Sequence, residues 1–204
     1  MEIILPFAVG IGIVQCNDLL DLSRKLFFEN DHLLAKSEKF GLRTNFQIQK
    51  LYKHSINESY VDLSVSNEIK KEILSHCLNF LKVINWFADS LDYEITNMWL
   101  NEYSKVDSFQ DKHSHQGSLI SGTYYVDMPS DGHPIIFSNP HEDVIPPLIY
   151  TTSKTFSNFN SAEWKFHPTE GQLFMFPSNL KHYVPKSNTS GFRRSISFDL
   201  NTKH

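Results

Sequence analysis

The chain has 204 residues, 40% hydrophobic and 21% charged, enough to bury a core and read most simply as a single domain over 1–204. Nineteen Lys and Arg against 23 Asp and Glu give a formal charge of -4. That field repels phosphate backbones and anionic lipid, so neither nucleic acid nor a membrane is an expected partner. Cys16 and Cys77 lie far apart and outside any CxxC or zinc spacing, which argues against a disulfide scaffold and a structural zinc site and fits a reducing cytoplasm.

The apolar run over 3–14 follows Glu2, contains Pro6 and lacks a basic flank and a cleavage site, so it does not read as a signal peptide. It is too short to span a bilayer and is expected as a buried strand or strand pair. From 17 to about 40, Leu19, Leu20, Leu22, Leu26, Phe27, Leu33 and Leu34 recur at near-helical spacing. Asn17 is the expected N-cap, and Asn30 with Asp31 mark a break between two helices. Residues 41–65 are polar and irregular. A second helix is predicted over 67–89, capped by Ser66, with Ile69, Ile73, Cys77, Leu78, Leu81 and Ile84 as its apolar stripe.

After Asp89 the period changes. Short segments rich in Ile, Tyr, Phe and Thr at 95–103, 119–128, 134–137, 148–152, 164–167, 172–176 and 192–200 read as strands separated by Gly, Pro, Asn and Ser. The Ser- and Asn-rich stretch 151–161 reads as a loop. Helices followed by many short strands predict an α+β, mainly β domain: 1–90 supply an N-terminal strand and supporting helices packed on one sheet, and 91–204 form a sandwich or barrel core.

The densest cluster of metal-capable side chains is Asp111-Lys112-His113-Ser114-His115. On an extended backbone alternate residues share a face, so His113 and His115 can address one point. His182 is a third candidate, delivered by the apolar segment 171–176 through the Pro177 turn. In 192–200, parity puts Arg193, Ser195 and Ser197 on one face and Arg194, Ile196, Phe198 and Leu200 on the other, which is the core face. An Arg beside a Ser on a polar inner face suits a carboxylate ligand. His133, His141 and His167 read as surface or turn residues, and Trp86, Trp99 and Trp164 as core or sheet-packing residues; Trp99 shares parity with Asn101 and Tyr103 and could face the pocket.

His113-Ser114-His115, Ser121-Gly122-Thr123-Tyr124-Tyr125-Val126, the segment 171–182 and Arg193-Arg194-Ser195 resemble, in order and spacing, the iron(II)/2-oxoglutarate-dependent oxygenases. The resemblance covers about 95–200 and is strongest to the prolyl-hydroxylase-like group, with a bacterial and phage branch sharing the HxH, SGxYYV and FPSxLxH pattern. It implies a double-stranded β-helix (jelly roll, cupin-like) with Fe(II) at its mouth, 2-oxoglutarate as co-substrate, and O2. Residue by residue, it implies that His113 is the first metal ligand and His182 the distal one, that Arg193 and Ser195 bind the far carboxylate of 2-oxoglutarate, and that Tyr125 and Tyr103 join that pocket.

The carboxylate of the usual HxD or HxE pair is replaced by His115, and the residues leave three readings open. Three imidazoles could hold the metal; Asp111 could supply a carboxylate with the pair in reverse order; or His115-Gln116-Gly117 could imitate the HxG of halogenating relatives. The leading expectation is the first, in a dioxygenase hydroxylating a small-molecule or peptidyl substrate, with a homodimer left open. The rival readings are a cupin-like three-His metal dioxygenase or isomerase without 2-oxoglutarate, and a non-catalytic jelly-roll binding module.

Overall fold

Strand β11 (Arg193–Thr202) sets the frame, because its alternate residues divide into an apolar set and a polar set and so require a core on one side and a cavity on the other. In a computed structural model, which describes residues 8–36, 42–44, 63–103, 107–129, 133–152, 154–155, 157, 160–186 and 191–203, β11 is a central strand of the larger of two antiparallel sheets. The other strands are β1 (Gly12–Gln15), β2 (Ala35–Lys36), β3 (Arg43–Thr44), β4 (Tyr93–Tyr103), β5 (Gln110–His113), β6 (Ile120–Asp127), β7 (Ile135–Ser138), β8 (Glu163–Phe166), β9 (Gln172–Pro177) and β10 (His182–Val184). The large sheet runs β1-β9-β6-β11-β4-β3-β2 and the small one β5-β10-β7-β8. Together they are the mainly β, double-stranded β-helix arrangement expected, as an open sandwich without a closed barrel.

Helices α1 (Leu20–Glu29) and α2 (Leu63–Val83) cover the outer face of the large sheet. Leu26, Phe27, Ile69, Ile73 and Cys77 bury against Ile196, Phe198, Leu200 and Tyr124 in one cluster, while Phe137, Phe174, Phe176 and Tyr125 fill the space between the sheets. At about 25 cal/mol per Å² of apolar surface, these two clusters supply the main driving force of the fold. Gly122 permits it: a Cβ there would run into the Phe198 ring and the Phe174 carbonyl. No helix among the described residues is long and apolar enough to cross a membrane, and Cys16 and Cys77 are free thiols.

Several local expectations are corrected. Segment 148–152 is not a strand; Pro147–Thr152 is a short helix, α3, with Leu148 exposed and the Thr152 hydroxyl donating to the Leu148 carbonyl. Pro147 at its first position has a φ already set for a helix, and five residues, of which Leu148, Ile149 and Tyr150 are apolar or aromatic, are too few to fix a period. Helix α2 begins at Leu63, so Ser66 lies within it, and it stops at Val83 because Asn85 takes φ 58° and the Trp86 and Phe87 amides donate back to the Leu81 carbonyl, a left-handed helix stop. The break at Asn30 holds, but a 3-10 turn and the short strand β2 follow it. Asn17 caps no α-helix; its side chain accepts from the Gln15 amide. Strand β1 is a half-buried edge strand, and residues 3–7 of the predicted run, like most of 41–65, lie outside the described residues.

Candidate metal centre and co-substrate pocket

Strands β5 and β10 pair with His113 directly opposite His182, which brings together two imidazoles that are 69 positions apart in sequence. His115, two residues past His113, is fixed by its backbone amide donating to the Ser178 carbonyl at 2.8 Å. The three rings stand with centroids 5.1 Å (113–115), 4.4 Å (113–182) and 5.3 Å (115–182) apart. One nitrogen from each lies within 4.8 Å of the other two, and this is the one such group of three among the described residues.

Their hydrogen bonds decide which nitrogens are free. His113 Nδ1 lies 2.7 Å from the Asp111 carbonyl, His182 Nδ1 lies 2.9 Å from the Leu180 carbonyl, and His115 Nδ1 lies 2.7 Å from Asp199 Oδ1. Carbonyls and carboxylates only accept, so each Nδ1 carries the hydrogen and each Nε2 keeps its lone pair. Three neutral imidazoles with free Nε2 atoms on one point are the donor set a divalent transition ion takes. Burial keeps His113 and His182 neutral: it lowers the pKa of His113, and with His113 close by it drives His182 down to about 3.

The metal-free cluster therefore has a pH signature. The unfolded chain protonates His182 near 6.5 whereas the folded apo-protein resists until about pH 3. As pH falls through that window the unfolded state binds the extra proton and stability drops. We expect the apo-protein to lose about 3 kcal/mol on this account by pH 4, at about 1.4 kcal/mol per pKa unit. Urea melts at pH 7 and pH 4 should show the loss shrinking in His182→Asn; an equal loss in both proteins would disprove the assignment.

The cluster opens into a cavity of about 650 Å³ lined by Trp99, Asn97, Asn101, Tyr103, Gln110, Gln116, Thr123, Phe176, Arg193, Ser195, Ser197 and Asp199, among others. Parity builds it. Arg193, Ser195, Ser197 and Asp199 alternate along β11, facing Tyr103, Asn101, Trp99 and Asn97 across β4 and, from Ser195 on, Tyr125, Thr123 and Ser121 across β6. Arg193 and Asp199 are the acidic or basic side chains among its described lining, histidines apart.

Adjacent residues Arg193 and Arg194 have opposite surroundings. Arg194 lies on the outer face, bonded to Glu102 at 2.8 Å and Asp127 at 3.4 Å. Arg43 shares Glu102 and Arg24 shares Asp127, so three of the four arginines form one ion chain. Arg193 is 2% exposed, has no carboxylate partner among the described residues, and its Nε is buried without a hydrogen bond. Its guanidinium lies 4.4 Å from the Tyr103 ring centroid and 5.2 Å from that of Tyr125. Tyr125 does not line the cavity; it is fully buried behind Arg193, its hydroxyl has no well-formed hydrogen bond among the described residues, and burial pushes its pKa up to about 12 against the pull of the neighbouring Arg193. Buried polar groups left open in this way call for a partner, such as a water, an ion or a ligand. Iron and a dicarboxylate fit what is present.

The alternatives to a three-His group find less in the geometry. Asp111 is exposed and contributes its carbonyl to His113, and Gly117 lies in a turn at φ 90° outside the cavity lining. His141 and His167 are exposed as expected, but His133 is buried against Tyr103. Trp86 and Trp164 are half-exposed, while Trp99 stacks on His115 at 5.6 Å. The residue missed was Asp199; continuing the face of Arg193, Ser195 and Ser197 by one step would have reached it.

Known structures share this architecture. A prolyl-4-hydroxylase from Pseudomonas putida superposes with a TM-score of 0.60 at 15% identity, covering 96% of this chain and 94% of that one. HygX from Streptomyces hygroscopicus, solved with nickel, 2-oxoglutarate and hygromycin B, gives 0.57 at 10% identity, with 95% and 83% covered. A Trichoplax adhaerens prolyl hydroxylase in complex with a hypoxia inducible factor peptide fragment gives 0.54 at 14%, with 94% and 83% covered. At these identities the likeness is one of fold. No curated protein matches the sequence. A family model described as "Putative 2OG-Fe(II) oxygenase" matches residues 97–199, half of the chain and the part that carries the three histidines, Arg193 and Asp199. The chain belongs to the 2-oxoglutarate- and iron(II)-dependent oxygenase family, whose members use Fe(II), 2-oxoglutarate and O2.

Proposed function

We propose that the chain is a hydroxylase in which His113, His115 and His182 hold Fe(II) through Nε2 and Arg193 holds the far carboxylate of 2-oxoglutarate. The observation that carries this is the buried Arg193 guanidinium, open at Nε, on the face of β11 that leads to the histidines. A buried cation without a counter-ion carries a large desolvation cost, which a carboxylate would offset. A cupin-like metal protein that uses no 2-oxoglutarate has no need of it.

The bound iron would supply activation of O2, coupling oxidative decarboxylation of 2-oxoglutarate to insertion of one oxygen atom into a substrate C–H bond. The chain's own contribution is positioning. Three imidazoles would hold the metal and leave coordination positions for co-substrate, Ser195 and Tyr103 flank Arg193, and Tyr125 backs it. Trp99 and Phe176 wall the cavity and exclude water. Asn97 and Asn101 each commit their amide N–H to the chain, to Asp199 and Ser197, and keep a carbonyl for the acceptor, read as a small molecule or a peptidyl side chain and not as nucleic acid. The HygX and Trichoplax complexes hold one ligand of each kind. The two free thiols suit a reducing cytoplasm.

The direct test is anaerobic. Protein made without a His tag and loaded with Fe(II) should develop a weak visible charge-transfer band on adding 2-oxoglutarate, with saturation at one equivalent. Iron loading without the band would leave a metal protein that does not use this co-substrate.

A further inference from the structure

The three imidazoles are not held alike. His113 and His182 each donate Nδ1–H to the backbone carbonyl two residues earlier, a contact made by their own segments. His115 donates across to a side chain 84 positions away, the Asp199 carboxylate of β11. That carboxylate is 6% exposed. Its Oδ1 also accepts from the Ser121 hydroxyl at 2.7 Å, and Oδ2 accepts from the Asn97 amide at 3.2 Å. Its backbone is pinned as well: the ladder to β4 bulges between Asp199 and Leu200, and the Thr96 hydroxyl donates to the Asp199 carbonyl at 3.3 Å. Among the described residues no Lys or Arg pairs with it; the basic side chain it touches is His115, at 2.7 Å.

We infer that Asp199 is a positioning residue that delivers, through His115, the negative charge which three histidine ligands lack. The inference rests on the metal-binding reading above. In the usual set a carboxylate bonds the metal directly and cancels one of its charges; here His115 occupies that place, and Asp199 stands on the far side of its ring. The bond to Asp199 fixes the ring so that Nε2 faces His113 and His182, and it makes that nitrogen a stronger donor, since positive charge drawn into the ring is met at Nδ1. The compensation is partial, because attraction falls with distance.

A purely structural part explains Asp199 poorly. Ser121 and Asn97 could satisfy a neutral amide equally well, and an ionised carboxylate beside neutral groups carries a desolvation cost. That cost is offset when positive charge is drawn into the His115 ring, as a metal bound at Nε2 would draw it.

Asp199→Asn is the discriminating variant. It keeps the size and an oxygen to accept from His115, and the Asn97 amide can turn to offer its own oxygen, so only the charge is lost. Anaerobic Fe(II) titration should show affinity ten- to hundred-fold weaker, and the Fe(III)/Fe(II) potential should rise, with the apo melting temperature little changed. Affinity and potential matching the wild type would overturn the inference. A second measurement needs no variant: in the wild type loaded with Zn(II), 15N spectra of labelled histidine should show His115 protonated at Nδ1 and metal-bound at Nε2. The reverse tautomer would overturn it even if Asp199→Asn failed to fold. His113→Ala separates the two failures. If that variant still bound metal at full occupancy, the ligand reading itself would fall; if it lost the metal while Asp199→Asn behaved as wild type, only the part assigned to Asp199 would.

Discussion

Replacing either His113 or His182 by Ala is expected to abolish stoichiometric Fe(II) binding while leaving the fold in place. Structural metal sites with four protein ligands release about 10–16 kcal/mol, so each ligand is worth ~3 kcal/mol, and losing one of three lowers affinity by more than about 100-fold. The fold has less at stake. His113 is partly exposed at the end of β5. His182 is buried against Phe137 and Phe176, and truncating it opens a void continuous with the existing cavity, at a cost of ~1–2 kcal/mol. Anaerobic dialysis with an iron assay, run beside a thermal melt, separates the two effects. Full iron occupancy in either folded variant would remove that residue from the ligand set. His115→Ala in the same assay tests the position that departs from the family pattern.

The neighbouring arginines should give opposite results. Arg193→Ala is expected to weaken 2-oxoglutarate by ~2–4 kcal/mol, the scale of a charge-assisted bidentate contact, and not to lower the apo melting temperature, since it removes a buried charge with no counter-ion. Arg194→Ala should hardly alter 2-oxoglutarate binding but should destabilise the fold, because Glu102, 1% exposed, would keep Arg43 as its one remaining ion pair among the described residues. The pair of measurements is a titration of the iron charge-transfer band and a melt, on both variants. If the phenotypes were exchanged, the side-chain parity of β11 would be reversed; if neither variant affected the titration, 2-oxoglutarate would not bind here.

Parity is also why so much of this site was legible in the sequence. A strand offers two faces, and Ile196, Phe198 and Leu200 identify the apolar one, so the direction of Arg193 follows without any long-range information. His113 and His115 were readable as a pair for the same reason. The meeting of His113 with His182 was not, because pairing of β5 with β10 depends on connections that no local pattern encodes; the strand-turn position made His182 a candidate, and the family resemblance joined it to His113. Asp199 was overlooked because an acidic residue near the end of a strand looks like a solvated edge until its partners Ser121 and Asn97 are seen. Local misreadings have local causes. The end of α2 turns on the left-handed backbone of Asn85 rather than on hydrophobic period, since Ile84 continues the stripe beyond the helix. The exposed Trp86 and Trp164 show that aromatic bulk alone does not predict burial.

The cavity's described lining holds one basic and one acidic side chain, Arg193 and Asp199, and their signs fix the electrostatic sum of the proposed complex. Arg193 and Asp199 cancel, three neutral imidazoles add nothing, and the divalent metal is matched by dianionic 2-oxoglutarate. The loaded chamber is then electroneutral before any acceptor arrives. A neutral C–H-bearing group can enter that enclosed space with no uncompensated ion beside it, whereas a charged one would have to leave water for a place with no counter-charge to spare. The histidine that replaces a carboxylate thus leaves the total unchanged, because the carboxylate persists one ring's width further out.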